Sequence, residues 1–393
     1  MLISSRKSSV RAKIAILVLI VFAALYLFSY MLDWFAEPAP TATPLPVATD
    51  TLFRPSVTPP AASNWWEVYF TEPLTINDPA NYANSIERKL IDKINAAQTS
   101  IHIASFEFNL TPVADALIAA HQRGVDVRWV TDDEYGLEAD SDPDGGQFAM
   151  LTEAGIEVRD DGRSALMHDK FWIFDGETVW TGSTNITING IFSQNNNVIV
   201  LHSPEIAAMY EREFQEMWEG QFGPRSPSTV DQQSAVVNGT PIQVLFSPED
   251  GVVNRIIEYV QEAQVSIRFL AFSFTDYPLA NAMIQRAAAG VDVKGVYEKV
   301  GSDGQGAEMV TFLCAKVPVR QDGNGSFMHD KLIIVDNRTV ITGSLNFSSS
   351  ADEANDENVL IVDNPEIAAL YLQEFERIWA LATDPDPAKF TCP

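Results

Sequence analysis

Residues 167–185 read MHDKFWIFDGETVWTGSTN, and residues 328–346 read MHDKLIIVDNRTVITGSLN. In both stretches a histidine is followed two residues later by lysine, five further on by aspartate, and seven further on by Gly-Ser-x-Asn. The first set is His168, Lys170, Asp175, Gly182, Ser183 and Asn185; the second is His329, Lys331, Asp336, Gly343, Ser344 and Asn346. From each lysine onward the residues are apolar, β-branched or aromatic, which predicts a buried strand over 170–174 and over 331–335. Strand alternation then puts His and Lys, two residues apart, on one face. Asp175-Gly176 and Asp336-Asn337 are turn pairs, and residues 178–181 and 339–342 continue as a second strand. A hairpin thus delivers serine and asparagine beside histidine and lysine. Imidazole, ammonium, hydroxyl and carboxamide together suit a phosphate oxyanion.

A single His-x-Lys triplet at a strand end is ordinary, but two with every spacer preserved are not. The pattern H-x-K-x4-D-x6-G-S-x-N resembles the signature of the phospholipase D superfamily of phosphodiesterases, and the resemblance extends from about residue 65 to the C-terminus. It implies metal-free phosphodiester chemistry without a cofactor. One imidazole attacks phosphorus, and the other protonates the leaving group and then activates water. On the positions of this sequence His168 is the nucleophile and His329 the acid/base. Lys170, Lys331, Asn185 and Asn346 cover the phosphoryl oxygens, and Ser183 and Ser344 support them by hydrogen bonds. In the family, an acidic or amide residue further on holds the opposite imidazole. Glu357 lies 28 residues after His329 and Asn196 lies 28 after His168, so Glu357 is expected to orient His168 and Asn196 to orient His329. Asp175 and Asp336 sit at the hairpin turn, a strand's length from histidine, and read as structural.

The duplication extends beyond the motifs. Residues 96–108 (AAQTSIHIASFEF) return as 262–274 (EAQVSIRFLAFSF), 123–130 (RGVDVRWV) as 289–296 (AGVDVKGV), and 203–220 (SPEIAAMYEREFQEMWEG) as 364–381 (NPEIAALYLQEFERIWAL). Strand-like and helix-like segments alternate in both halves. The expected architecture is therefore α/β: two homologous lobes, 65–223 and 241–393, joined by a Ser-, Pro- and Gln-rich connection at 224–240. Each lobe is a mixed sheet covered by helices, and the two are related by a pseudo-twofold axis with one shared site.

Ahead of the lobes, residues 1–13 form a basic head and residues 14–32 an apolar run long enough to span a bilayer, with Tyr30, Trp34 and Phe35 at its far end. Residues 33–64 are rich in Pro, Thr and Ala and read as an extended stalk. A single-pass anchor with the catalytic part outside the cytoplasm is expected; a cleaved signal peptide, giving a secreted protein, is the alternative. The net charge is −27, and four of the 26 basic residues precede the apolar run, leaving 22 against 53 acidic ones. That balance disfavours a non-specific grip on nucleic acid. Phospholipid is the expected partner, with hydrolysis favoured over phosphatidyl transfer, a nuclease, or an inactive phosphate-binding module. Cys314 and Cys392 either pair, in an oxidising compartment, or remain thiols. Two lesser features complete the reading. The acidic loop 132–147 matches a calcium loop poorly, since Leu151 stands where an acid is required. Ile191 and Phe192, just after the first Gly-Ser-x-Asn, are either packed in their own lobe or free to dip into a bilayer.

Overall fold

The protein is described by a computed structural model over residues 65–143 and 145–392. The apolar run at 14–32, the stalk at 33–64 and Asp144 of the acidic loop lie outside the described residues. Among the described residues no helix is long and apolar enough to cross a membrane.

In chain order the first half comprises β1 (Trp66–Phe70), α1 (Ile86–Ala96), β2 (Ser100–Ser105), α2 (Thr111–Gln122), β3 (Asp126–Thr131), α3 (Gln147–Glu153), β4 (Glu157–Asp160), β5 (Lys170–Phe174), β6 (Thr178–Gly182), α4 (Ile188–Phe192), β7 (Asn197–His202) and α5 (Pro204–Trp218). The connection is not all loop, since it contributes β8 (Ser234–Val237) at a sheet edge. The second half comprises β9 (Thr240–Ser247), α6 (Val252–Glu262), β10 (Ser266–Ala271), α7 (Tyr277–Ala288), β11 (Asp292–Tyr297), α8 (Met309–Cys314), β12 (Val319–Gln321), β13 (Lys331–Val335), β14 (Thr339–Gly343), α9 (Ser349–Glu353), β15 (Glu357–Asp363) and α10 (Pro365–Leu381). The strands form two mixed sheets, β1-β7-β6-β5-β2-β3-β4 and β12-β11-β10-β13-β14-β15-β9-β8. Apart from β8, the second order is the first read backwards with each strand replaced by its repeat.

Burial explains why β5 and β13 carry no alternation: every residue of both strands is buried, so beyond the leading Lys170 and Lys331 both faces are apolar. One face of the first sheet packs on the helices α1 to α3, where Leu90, Leu117 and Trp129 are fully buried. The equivalent face of the second packs on α6 and α7 through Ile256, Met283 and Phe269. The remaining faces of both sheets share a single apolar cluster with α5 and α10, including Phe171, Tyr210, Phe246, Leu332 and Tyr371.

Polar ties join the halves where the motifs begin, and each occurs twice with the halves exchanged. His168 N donates to Asp356 O and Asp356 N to Leu166 O, at 2.8 and 2.9 Å; His329 N donates to Asn195 O and Asn195 N to Phe327 O, both at 2.9 Å. Cys314 and Cys392 form a disulfide, closing the alternative left open by the sequence and fastening the C-terminal segment to α8.

Three smaller expectations resolve here. Ile191 and Phe192 are buried in the first half's core, so neither is offered to a bilayer. Asp140 of the acidic loop directs its carboxylate at the N–H groups of Gly146, Phe148 and Ala149, at 2.9 Å each. It therefore serves the N-terminus of α3. Asp175 and Asp336 adopt left-handed backbone, φ 54° and 52°, which aspartate tolerates in turns. Their carboxylates reach across the sheet rather than into their own turn: Asp175 accepts from the backbone N–H groups of Gln98, Thr99 and Ser100, and Asp336 from those of Gln264, Val265 and Ser266. These bonds hold both carboxyls below the usual range despite partial burial, which acts the other way. The stabilisation is therefore present above the ordinary carboxylate pKa and lost as pH falls through the depressed folded-state value. Asp175→Ala should cost about 1–2 kcal/mol by leaving those donors unpaired. The expected result is a Tm lower by a few degrees with kcat per folded molecule little changed; a large loss of kcat at unchanged Tm would contradict the structural role.

Candidate active site

The two histidines stand at the N-terminal edges of β5 and β13, where the halves meet. Each motif is pinned at its start by the acid that directly follows β3 or β11: Met167 N donates to Asp132 Oδ2 at 3.1 Å, and Met328 N to Glu298 Oε2 at 2.6 Å. The glycines of Gly-Ser-x-Asn are needed for close approach. A Cβ on Gly182 would lie 2.2 Å from Asn197 O, and one on Gly343 2.0 Å from Asn358 O. With glycine there, Ser183 and Ser344 sit directly against the following strand, where each Oγ accepts an N–H, from Asn197 at 3.1 Å and from Asn358 at 2.9 Å.

Across the boundary the imidazoles receive unlike partners. His168 Nδ1 lies 2.7 Å from Glu357 Oε2, and both side chains are buried. His329 Nδ1 lies 3.0 Å from Asn196 Oδ1 and 3.2 Å from Ser183 O. Asn196 is itself fixed, accepting from Ser183 Oγ at 2.8 Å and donating to Gly190 O at 2.9 Å. Asn355 donates to the other oxygen of Glu357 at 3.1 Å. With Nδ1 hydrogen-bonded, each ring presents Nε2 as its free nitrogen. Phe106 packs edge-on against His168 and Phe272 against His329, with ring centroids 4.8 and 4.7 Å apart.

Lys170 and Lys331 are buried beside the imidazoles, their ammonium groups donating to His168 O and His329 O at 2.9 and 2.8 Å. The electrostatics follow from gathering cations in a dry place. Burial and then the two lysines hold His168 well below its usual pKa; burial, Lys331, Lys170 and then His168 do the same to His329. That each half's imidazole feels the other half's lysine places all four groups in one electrostatic neighbourhood. Burial lowers Lys170 to about 8 and, with Lys170 beside it, pulls Lys331 down as well. Burial pushes Glu357 up to about 7, opposed chiefly by Lys170. Asn185 donates to Glu107 Oε2 at 2.7 Å, whereas the side chain of Asn346 makes no hydrogen bond among the described residues.

The sequence reading overlooked several groups here. Asn197 and Asn358, next to Asn196 and Glu357, stitch each motif to the opposite half: Asn197 Nδ2 donates to Asp330 Oδ1 at 2.7 Å, and Asn358 Oδ1 accepts from Lys170 N at 3.0 Å. The repeated Asn at 29 residues after each histidine was the available signal. Phe106, Phe272 and Glu107 lay in the repeated AAQTSIHIASFEF segment but had no polar spacing to mark them. Asp132, Asp133 and Asp161 place one oxygen each within 4.8 Å of one another. Asp132 is already spent on the N–H groups of Glu134, Tyr135 and Met167, and Asp161 on Asp133 N–H and Arg163.

A family profile described as "Cardiolipin synthase, PLD-like domain" matches residues 90–218 and 256–379, more than half of the chain and one match per half. The chain belongs to the phospholipase D superfamily. Among curated relatives, the mitochondrial cardiolipin hydrolase of Xenopus laevis is 34% identical over 141 residues, which is 36% of this chain and 65% of the relative. The human protein of that name is 35% identical over 36% of this chain and 54% of its own length. A protein named phospholipase D from Rickettsia conorii is 32% identical over 34% of this chain and 67% of its own. The matches to these superfamily relatives thus span about two thirds or less of their lengths. Among solved structures, phosphatidylserine synthase of Haemophilus influenzae shares the fold, with a TM-score of 0.59 at 14% identity, over 80% of this chain and 87% of that one.

Proposed function

We propose that the protein is a phospholipase D-type phosphodiesterase, anchored in a membrane by residues 14–32, with two pseudo-twofold-related lobes (65–223 and 241–393) outside the cytoplasm. It hydrolyses phospholipid headgroup esters. The observation that carries this reading is the crossed pairing of His168 with Glu357 and of His329 with Asn196, which supports one site served by both halves. His168 Nε2 attacks phosphorus while Glu357 holds the Nδ1 proton. The bond to the headgroup oxygen breaks, and His329 gives that oxygen its proton. His329, now neutral, takes a proton from water; the resulting hydroxide attacks phosphorus, the P–N bond breaks, and His168 is restored. The lysines, Asn185 and Asn346 hold the phosphoryl oxygens, and the negative charge of the bound diester offsets the conditions that depress the imidazoles. The lysines supply the positive charge that such chemistry requires, so EDTA should leave turnover intact.

The disulfide supports an oxidising compartment, and the acidic surface supports a substrate other than a polyanionic strand. Relatives named phospholipase D and cardiolipin hydrolase support a phospholipid substrate. Choline release from phosphatidylcholine, compared with cleavage of single-stranded DNA, both in EDTA, tests the reading. Headgroup release with intact DNA is expected; the reverse makes the protein a nuclease, and loss of all turnover in EDTA contradicts the metal-free mechanism.

The pH profile follows from two buried groups. Glu357 must be ionised, so activity rises as pH passes upward through about 7. Lys170 must be protonated, so activity falls as pH passes upward through about 8. A narrow bell in kcat/KM is expected, its acid limb absent in Glu357→Gln; a profile flat from pH 6 to 9 would contradict these roles.

A further inference from the structure

One side chain at the site has no counterpart in the other half. Glu107 follows Phe106, the ring packed on His168; at the repeated position Ser273 follows Phe272, the ring packed on His329. Glu107 accepts one hydrogen bond, from Asn185 at 2.7 Å, and no other to its side chain is made among the described residues. A carboxylate has about four lone-pair directions, so most of its accepting capacity remains unspent. It is half-buried rather than sealed in the core. Its environment ties it to the reaction centre: burial pushes its pKa up, while Lys170, Asn185 and Lys331 draw it down. Geometry places it at the same centre: Asn185, its donor, belongs to the first motif, and Phe106, its chain neighbour, packs on the His168 ring.

We infer that Glu107 determines specificity, favouring phosphodiesters in which one ester arm carries an ammonium group and disfavouring those in which the neighbouring group is another phosphate. This rests on the phosphodiesterase reading above and deepens it. An ammonium beside Glu107, quaternary or not, meets opposite charge in a partly desolvated place. A second phosphate at the same place, as in a polynucleotide, meets like charge with no cation assigned to it. Ser273 offers a hydroxyl in the other half, so selection is exerted on one arm only.

Two soluble diesters separate the possibilities, p-nitrophenyl phosphorylcholine and bis(p-nitrophenyl) phosphate, assayed with the full-length enzyme. Glu107→Gln and Glu107→Ser, the latter copying the second half, should each lower the ratio of kcat/KM for the choline diester over the aryl diester by about tenfold. An unchanged ratio, or equal losses on both substrates, would overturn the inference and leave Glu107 as a support for Asn185. A wild-type enzyme that turns over neither diester would remove the phosphodiesterase reading, and this inference with it.

Discussion

His168→Asn is expected to lower kcat by about four to six orders of magnitude and to abolish any acid-labile phosphoenzyme. Asparagine fills part of the imidazole's space and can still meet Glu357, so the loss comes from the nucleophile rather than from a collapsed site. His329→Asn should behave differently. The first step loses its proton donor, which costs about a hundred- to ten-thousandfold with an alkoxide leaving group. It costs much less with p-nitrophenolate, which departs without a proton. Water activation is lost in either case. With an activated aryl diester the His329 variant should therefore accumulate phosphoenzyme that wild type discharges. The electrostatics set this division: burial and the lysines depress both rings in the free enzyme, but only His168 faces a carboxylate. Rapid-quench measurement of the burst separates the two variants, and a burst in His168→Asn but not in His329→Asn would exchange their roles.

Glu357→Gln is expected to cost about a hundred- to ten-thousandfold in kcat, against tenfold or less for Asn196→Ala. Glu357 is fully buried and 2.7 Å from His168 Nδ1. Its negative charge strengthens the lone pair on Nε2 and stabilises the ring as positive charge develops during attack. Glutamine can keep the hydrogen bond but not the charge, so KM should move less than kcat. Asn196 orients His329 without adding charge, and Ser183 O also lies within reach of the same ring nitrogen at 3.2 Å, so a partial substitute remains when Asn196 is lost. Equal losses in the two variants would count against the asymmetry between the halves.

The motif hairpins were legible because their physics is local. A lysine followed by four apolar residues, a turn pair and a second apolar run can form little else, and β5-β6 and β13-β14 occupy those residues. The partners of the imidazoles were legible only through the family resemblance, which supplies the role, together with the duplication, which marks Glu357 and Asn196 by equal spacing from their own histidines. What spacing could not give was the targets of side chains that act across the sheet. Asp175 and Asp336 look like turn formers, yet their oxygens serve backbone more than 70 residues earlier. Asn197 and Asn358 read as ordinary strand residues until the opposite half is brought against them. Glu107 stayed hidden because a lone glutamate in a strand-like run signals only an exposed face, and its hydrogen bond to Asn185, 78 residues on, appears only once the chain is folded. The cysteines were undecidable from sequence because pairing depends on where the C-terminal segment returns.

The claim on which the account turns is that both halves act on one phosphorus atom, with His168 forming the covalent bond. The most direct measurement is peptide mapping, kept alkaline to preserve the acid-labile P–N bond, of His329→Asn enzyme quenched during turnover of an aryl phosphodiester, with the modified residue read by mass spectrometry. The account predicts a phosphoryl adduct on His168 and nowhere else. An adduct on another residue, or sustained turnover by His329→Asn without any adduct, would contradict it.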